Sequence, residues 1–344
     1  MKQKIFDSKY PILECCMNRG STLELALAVH NAGAYPSLCS WTYTEYPRSS
    51  ALNTAALRKD LSTFVNKTKS NKIHISFELE EFSSDSRERE FDWNNFRENI
   101  KLCHDMIREF AIPTVEIIYG NSNSPRPAHF IGPNVDDRLL ELVQPLHDMG
   151  TKIFNRTYDI VSEETRKKFL FDGLCVKGTD SAGFGGTKYS VKELFLLQKQ
   201  ITPDAYIIPY GGIGGSAQVK EYIELGADVV AVGSMFAFSK ESPIKESTKN
   251  IVVQSTSKDL QKFHHSFDVN NNTVHRKQSM IPLDTQFNET DDANHTRSLI
   301  SGLYKSGNVG HVYIGNSINY INEILPVNTI VQNLIADLRL YEVE

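Results

Sequence analysis

The sequence predicts an α/β protein of the (β/α)8, or TIM-barrel, class with a C-terminal, partly helical appendage. Three observations carry that expectation. Short apolar runs of strand type alternate with amphipathic helical segments close to eight times, at a spacing of about 30 residues. The stretch Tyr206 to Phe236, YIIPYGGIGGSAQVKEYIELGADVVAVGSMF, reads as strand, glycine turn, helix, strand and Gly-Ser turn, so two neighbouring strands end in glycine on the same side. The 344 residues suit one barrel of about 250 residues plus an appendage. A doubly wound sheet is the alternative, because the fifth strand has a short apolar signature.

The elements follow in order. Pro11 to Met17 is the first strand, and Ser21-x-x-Glu24 has the form of a capping box opening a helix through Leu23, Leu27 and Val29 that closes at Gly33. Ala34 to Leu38 is the second strand, residues 51–67 a helix, and Ile73 to Leu79 the third strand. Residues 80–92 are charged and read as a solvated loop. A helix from about Trp93 to Phe110 leads to a fourth strand at Thr114 to Tyr119 and an Asn-, Ser- and Pro-rich loop at 120–133. Val135, Leu139, Leu142 and Val143 share one face of the next helix. Lys152 to Phe154 is the short fifth strand, ending in Asn155 and Arg156. A helix over 163–169 precedes the sixth strand, Gly173 to Lys177, and a glycine-bearing loop at 178–187. Ser190-x-x-Glu193 caps a helix to about Gln200. Tyr206 to Ile208 and Val229 to Val232 are strands seven and eight. Between them Ser216 is placed to cap a helix whose Val219, Tyr222 and Ile223 share a face and which stops at Gly226.

From about Ile251 the composition changes. Residues 255–295 are polar, with Asn270-Asn271-Asn272 and a Thr-Asp-Asp run, and read as a lid or exposed excursion; 318–338 looks helical with a break at Pro326. The expected organisation is a barrel over 1–250 and an extension over 251–344 packed on it.

In a barrel the strand C-termini form the functional mouth. That collects Met17-Asn18-Arg19, Glu78, Asn155-Arg156, Lys177 through Gly186, Gly211 to Gly214 and Gly233-Ser234. Two glycine turns, a hydroxyl and a helix N-terminus around one point make an anion site suited to phosphate. The same glycines could also serve tight βα turns alone.

Bulk properties narrow the partners. A net charge of −5 without a long basic run gives no footprint for nucleic acid, so the partner is a small molecule. No apolar run approaches a membrane span, and MKQKIFDSKYPIL lacks the apolar core of a signal peptide. Five scattered cysteines without CxxC spacing point to reduced thiols in a cytoplasmic protein; with no HExxH among the ten histidines, no metal is expected.

PILECCMNRGSTLELALAVHNAGAYPSL, LCVKGTDSAGFGGT and IIPYGGIGGSAQVKEYIELGADVVAVGSMFAFSKES resemble the opening, sixth-strand loop and FMN-phosphate segment of nitronate monooxygenases (2-nitropropane dioxygenase-like flavoproteins). GNSINYINEILPVNTIVQNLI is similar to their helical close. The resemblance implies FMN as cofactor, its phosphate at Gly212, Ile213, Gly214, Gly233 and Ser234 and its ring near Met17, Asn18 and Lys177, with Gly178 and Gly211 as further cofactor-binding residues. It also implies oxidation of a small organic substrate, with oxygen or NAD(P)H as co-substrate. One departure stands out: Phe184 occupies the place of the family's loop histidine, and phenylalanine cannot take a proton. Lys177, Asp180 and Ser181 are then the candidate catalytic residues, with Tyr189 a further loop candidate; otherwise the substrate arrives as an anion. The phosphate segment is also similar to that of enoyl reductases and of IMP dehydrogenase/GMP reductase, whose loop cysteine is missing between Gly178 and Ser190. A non-catalytic FMN- or phosphate-binding barrel is the remaining alternative.

Overall fold

A computed structural model describes residues 5–44, 52–78, 93–118, 135–269, 272–283 and 310–338. Six strands form one parallel run: β2 (Ser37–Cys39), β3 (His74–Glu78), β4 (Thr114–Ile118), β5 (Lys152–Thr157), β6 (Gly173–Val176) and β8 (Tyr206–Pro209). A parallel pair, β1 (Ile12–Glu14) with β9 (Val230–Val232), closes the ring. Bridges Leu13 to Tyr35 and Tyr210 to Ala231 join that pair to β2 and β8, and Tyr35 N–H donates to the Ile12 carbonyl at 2.8 Å. Closure removes every barrel edge that would otherwise need a partner.

Helices sheathe this ring because parallel strands are apolar on both faces. Outward-facing Ile75, Phe77, Val115 and Ile117 pack in one buried cluster with Leu57, Leu61 and Phe64 of α2 (Thr54–Thr68), Met106 and Ile107 of α3 (Trp93–Phe110) and Leu139 and Val143 of α4 (Val135–Asp148). Inside, the lower end is aromatic. Phe6, from the segment before β1, sits 5.0 Å from Tyr35 and 5.3 Å from Phe154 between ring centroids, a plug each of whose contacts contributes about 0.5–1.5 kcal/mol beyond area. Above that plug the barrel interior turns polar.

Several local expectations change. Thr22, not Ser21, caps α1 (Leu23–Asn31), accepting from Leu25 N–H; Ser21 instead accepts from Met17 N–H and donates to the Cys15 carbonyl. Ser216 does not cap α7 (Ser216–Glu224). Gly215 is the N-cap, and Gln218 reaches back to accept from Gly214 and Gly215 N–H at 3.0 and 3.2 Å. The capping box at Ser190 and Glu193 does form, at the start of α6 (Val191–Ile201). The fifth strand extends to Thr157, because Arg156 points into a polar interior and so interrupts the apolar pattern.

The tail differs most from its expectation. A strand β7 (Gly183–Gly185) lies within the loop after β6, while β10 (Gln261–Val269) and β11 (Asn272–Pro282) form a long antiparallel hairpin. β11 also pairs with β7 and with β12 (His311–Tyr313). The polar stretch is therefore strand over 261–269 and 272–282, with Phe263, Phe267 and Val269 on one face of β10 and Lys262, His264, Ser266 and Asp268 on the other; 284–295 lies outside the described residues, as do the loops at 80–92 and 120–133. A 3-10 turn, Asn316–Tyr320, follows, and α10 (Val327–Leu334) starts directly after Pro326, burying Val327, Ile330, Val331 and Leu334 in one cluster with Leu25 and Val29 of α1.

Candidate active site

At the mouth, the turn after β8 supplies backbone donors. Gly211 and Gly212 adopt φ of 92° and 76°, a region that favours glycine. A Cβ on Gly212 would lie 2.7 Å from Asp180 Cβ, and one on Gly215 2.5 Å from a ring carbon of Tyr320. Among the described residues, the N–H groups of Gly212, Ile213, Gly233 and Ser234 donate to no protein acceptor. Four open donors at the ends of two adjacent strands form a nest for a multivalent oxyanion. Those of Gly214 and Gly215 are engaged by Gln218.

Beside this nest, after the strand paired with β9, lie Met17 and Asn18, both half-buried; a Cβ on Gly233 would come 3.6 Å from Met17 Sδ. Asn18 Oδ1 is buried without a hydrogen-bond partner, an acceptor open to a donor from a bound molecule. Beneath them, burial pushes the Glu14 carboxyl up to about 8 against the lowering contacts of Ser37 N–H and Ser21, so it is largely neutral at pH 7.

Lys177 stands on the inner wall at the end of β6, walled by protein yet partly open at the mouth. Its Nζ donates to the Ala182 carbonyl at 3.2 Å and lies 5.7 Å from the Tyr210 ring centroid. Desolvation and then the nearby Arg156 guanidinium draw its pKa down to about 7, with Cys15 and Glu116 pulling the other way. Arg156 itself is paired bidentately with Glu116, at 2.5 and 2.9 Å. Burial opposes the Glu116 charge, but Arg156 and His74 hold that carboxyl at about 2.

The other loop candidates are engaged in the scaffold. Asp180 Oδ2 accepts from Val191 N–H at 3.2 Å, and Oδ1 accepts from the Thr179 hydroxyl at 3.3 Å. Buried Ser181 donates to the Tyr210 carbonyl at 2.9 Å. The Tyr189 carbonyl takes Thr179 N–H at 2.8 Å. Gly178 packs on the start of α6, where a Cβ would meet Val191 N at 2.3 Å. Phe184 is half-buried on β7, its ring centroid 6.1 Å from that of Tyr313.

Three deep cysteines are chemically quiet. Burial raises the thiol pKa of Cys15 to about 12 and those of Cys16 and Cys175 well above their ordinary value. Cys16, His74 and Glu116 bring potential metal-ligand atoms within 4.8 Å of one another. Arg156 already holds both oxygens of that carboxylate.

The sequence pattern of the Nitronate monooxygenase family matches residues 1–337. The chain belongs to that family. Its members are FMN-dependent oxidoreductases acting on small molecules, and this protein is an FMN-dependent oxidoreductase. No protein of curated function matches the sequence. Among solved structures, FabK from Thermotoga maritima superposes with a TM-score of 0.69 at 19% identity, covering 98% of this chain and 96% of that one. The nitroalkane oxidase of Streptomyces ansochromogenes gives 0.63 at 13% identity, over 97% and 98% of the two chains. The enoyl reductase domain of MlnA from Bacillus amyloliquefaciens gives 0.57 at 12% identity, over 98% and 97%. At these identities the likeness establishes the fold. No described helix is long and apolar enough to cross a membrane.

Sequence reasoning passed over Glu116, Tyr210, Gln218 and Tyr320. Glu116 had a signal: in Thr-Val-Glu-Ile-Ile the polar residues recur with period two, the mark of an inward face. Tyr320 had none, because its contact with Gly214 and Gly215 spans a hundred residues of chain.

Proposed function

We propose that this family member oxidises a small organic substrate that reaches it already as an anion, in the manner of a nitronate monooxygenase, with oxygen as the electron acceptor. The cofactor's phosphate is assigned to the open N–H groups of Gly212, Ile213, Gly233 and Ser234 and its ring to the side of Met17, Asn18 and Lys177; the two glycine turns supply a cradle that a Cβ would fill. When bound, FMN supplies the two-electron redox couple between substrate carbon and oxygen.

The observation that carries the reading is the contrast between Lys177 and Phe184. The loop position of the family's histidine holds a ring that can neither take nor give a proton. The Lys177 ammonium has a carbonyl as its one hydrogen-bond partner among the described residues. Such a site is poor at deprotonating a neutral nitroalkane and good at holding an anion whose proton has already left. Lys177, protonated, would pair with that anion and favour negative charge at the mouth. The tail is proposed to complete the site, with a barrel over 1–250 and the extension over 251–344 contributing the strands and turn that brace its loops. Five unpaired, buried cysteines support a reducing compartment, the cytoplasm.

The test is oxygen uptake by the yellow protein with an alkyl nitronate against the parent nitroalkane. Turnover of the nitronate with little or none of the nitroalkane is expected. Equal turnover of both would require a base and sink the reading, and NAD(P)H oxidation coupled to an enone would make the enzyme a reductase.

A further inference from the structure

One guanidinium meets acceptors from three other strand ends. Arg156 of β5 donates through Nε and Nη2 to the two oxygens of Glu116 on β4, whose side chain is fully buried. The same Nη2 reaches Tyr210 Oη at 3.0 Å and the Cys16 carbonyl at 3.3 Å. Tyr210 Oη also donates to that carbonyl at 3.4 Å. Cys16 immediately precedes Met17 and Asn18; Tyr210 immediately precedes Gly211 and Gly212. Ser181 holds the Tyr210 carbonyl from the loop side. His74 backs the carboxylate, its Nε2 3.6 Å from Glu116 Oε2 and its Nδ1 3.1 Å from Thr114 Oγ1.

We propose that Arg156, neutralised by Glu116, is the positioning residue of this site: it ties the strand end leading into Met17–Asn18 to the strand end leading into the Gly211–Gly212 turn, and so fixes the separation of the two parts of the cofactor cradle. A buried ion pair is a poor source of stability compared with apolar residues of the same volume. What it adds is direction. A planar guanidinium can serve a carboxylate, a phenol and a carbonyl at fixed angles, which a lysine ammonium cannot match.

The inference rests on the cofactor placement above and carries an electrostatic corollary. Lys177 is faced by Arg156 from β5, Glu116 from β4, Tyr210 from β8 and Cys15 from the segment after β1. Arg156 is the charge among these that opposes its ammonium, and it outweighs Glu116. Removing the pair together should let Lys177 keep its proton to higher pH.

The test compares wild type with Arg156→Met/Glu116→Gln, which leaves no unpaired buried ion, and with Arg156→Lys. Two quantities are read: the FMN dissociation constant, and the pH dependence of Lys177 acetylation in FMN-free protein, followed by mass spectrometry. Both variants should bind FMN about tenfold more weakly or worse. The double variant should shift Lys177 reactivity to higher pH, while Arg156→Lys, which keeps the charge, should restore the wild-type profile without restoring FMN affinity. Wild-type FMN affinity in either folded variant would overturn the proposal, and so would an unshifted Lys177 profile in the double variant. Should the double variant not fold, Arg156→Lys carries the FMN readout alone. A Gly212→Glu protein that keeps its FMN would instead strike the cofactor placement and leave the role of Arg156 to the Lys177 profile.

Discussion

The two glycine-rich loops of the mouth look alike in sequence and do opposite things with their glycines. In the turn at 211–215, Gly211 and Gly212 adopt positive φ, and the N–H groups of Gly212 and Ile213 stay open among the described residues. In the loop at 178–186 the glycines let backbone close on backbone: a Cβ on Gly185 would come 2.6 Å from the Gly178 carbonyl, and one on Gly186 2.5 Å from that of Tyr158. The first loop is left unsatisfied, as a binding site must be. The second has its polar side chains committed to its own shape, and its candidate acids and hydroxyls are structural before they are chemical. Glycine content alone does not distinguish a nest from a knot.

The sharpest way to break this contrast is Gly212→Glu. It places a side chain at φ 76° against Asp180 and brings negative charge to the nest. Complete loss of bound FMN, read from the visible spectrum of the purified protein, is expected; unchanged FMN content would refute the phosphate placement. Next in size is Lys177→Met. Removing this ammonium from the mouth should lower kcat/KM by about 100- to 1,000-fold with FMN still bound. Its pH dependence has a definite sign. The free-enzyme pKa is lowered to about 7, so protonated Lys177 predominates below that value and kcat/KM should fall as pH rises through it. A bound anion favours the ammonium, so the limb in kcat should lie at higher pH. A wild-type profile flat across this range, or a limb that survives in the Met variant, would remove Lys177 from the chemistry.

The smallest effect is expected on the closed side of the comparison. Asp180→Asn keeps an acceptor for Val191 N–H and Thr179, and should change the thermal midpoint by an amount equivalent to about 1 kcal/mol or less. Turnover should stay within about threefold of wild type on the same energy scale. A hundredfold fall in turnover would make Asp180 catalytic and reverse the reading of its loop.

The sequence exposed the barrel because its outward faces carry regular patterns: Ile75, Phe77, Val115 and Ile117 alternate along their strands, and Val219 and Tyr222 recur at helical spacing. It exposed the phosphate turn because five residues from Gly211 to Gly215 include four glycines. The polar interior was less legible. Arg156 ended what looked like a short strand, and no local pattern tells that its partner is Glu116, forty residues earlier. The caps show the same limit on a smaller scale. Ser21 and Thr22 are equivalent as residue types, and which one caps α1 depends on whether Cys15 and Met17 have a use for the other. Hairpin β10–β11 was missed although Phe263, Phe267 and Val269 alternate with Lys262, Ser266 and Asp268, because the polar residues that outnumber them made the whole stretch read as an exposed excursion.

The pairing of β11 with β7 has a consequence for how this enzyme can be altered. Lys277, Gln278 and Ser279 are the backbone partners of Gly185, Phe184 and Gly183, and Asn316 N–H takes the Asp180 carbonyl at 3.0 Å. The loop bearing Phe184 is thus one strand of a sheet whose other strands are encoded about a hundred residues downstream. Loop and tail form a single unit of inheritance: grafting 178–186 into another barrel would move the letters without the shape, and restoring a histidine at Phe184 would place it where the hairpin dictates.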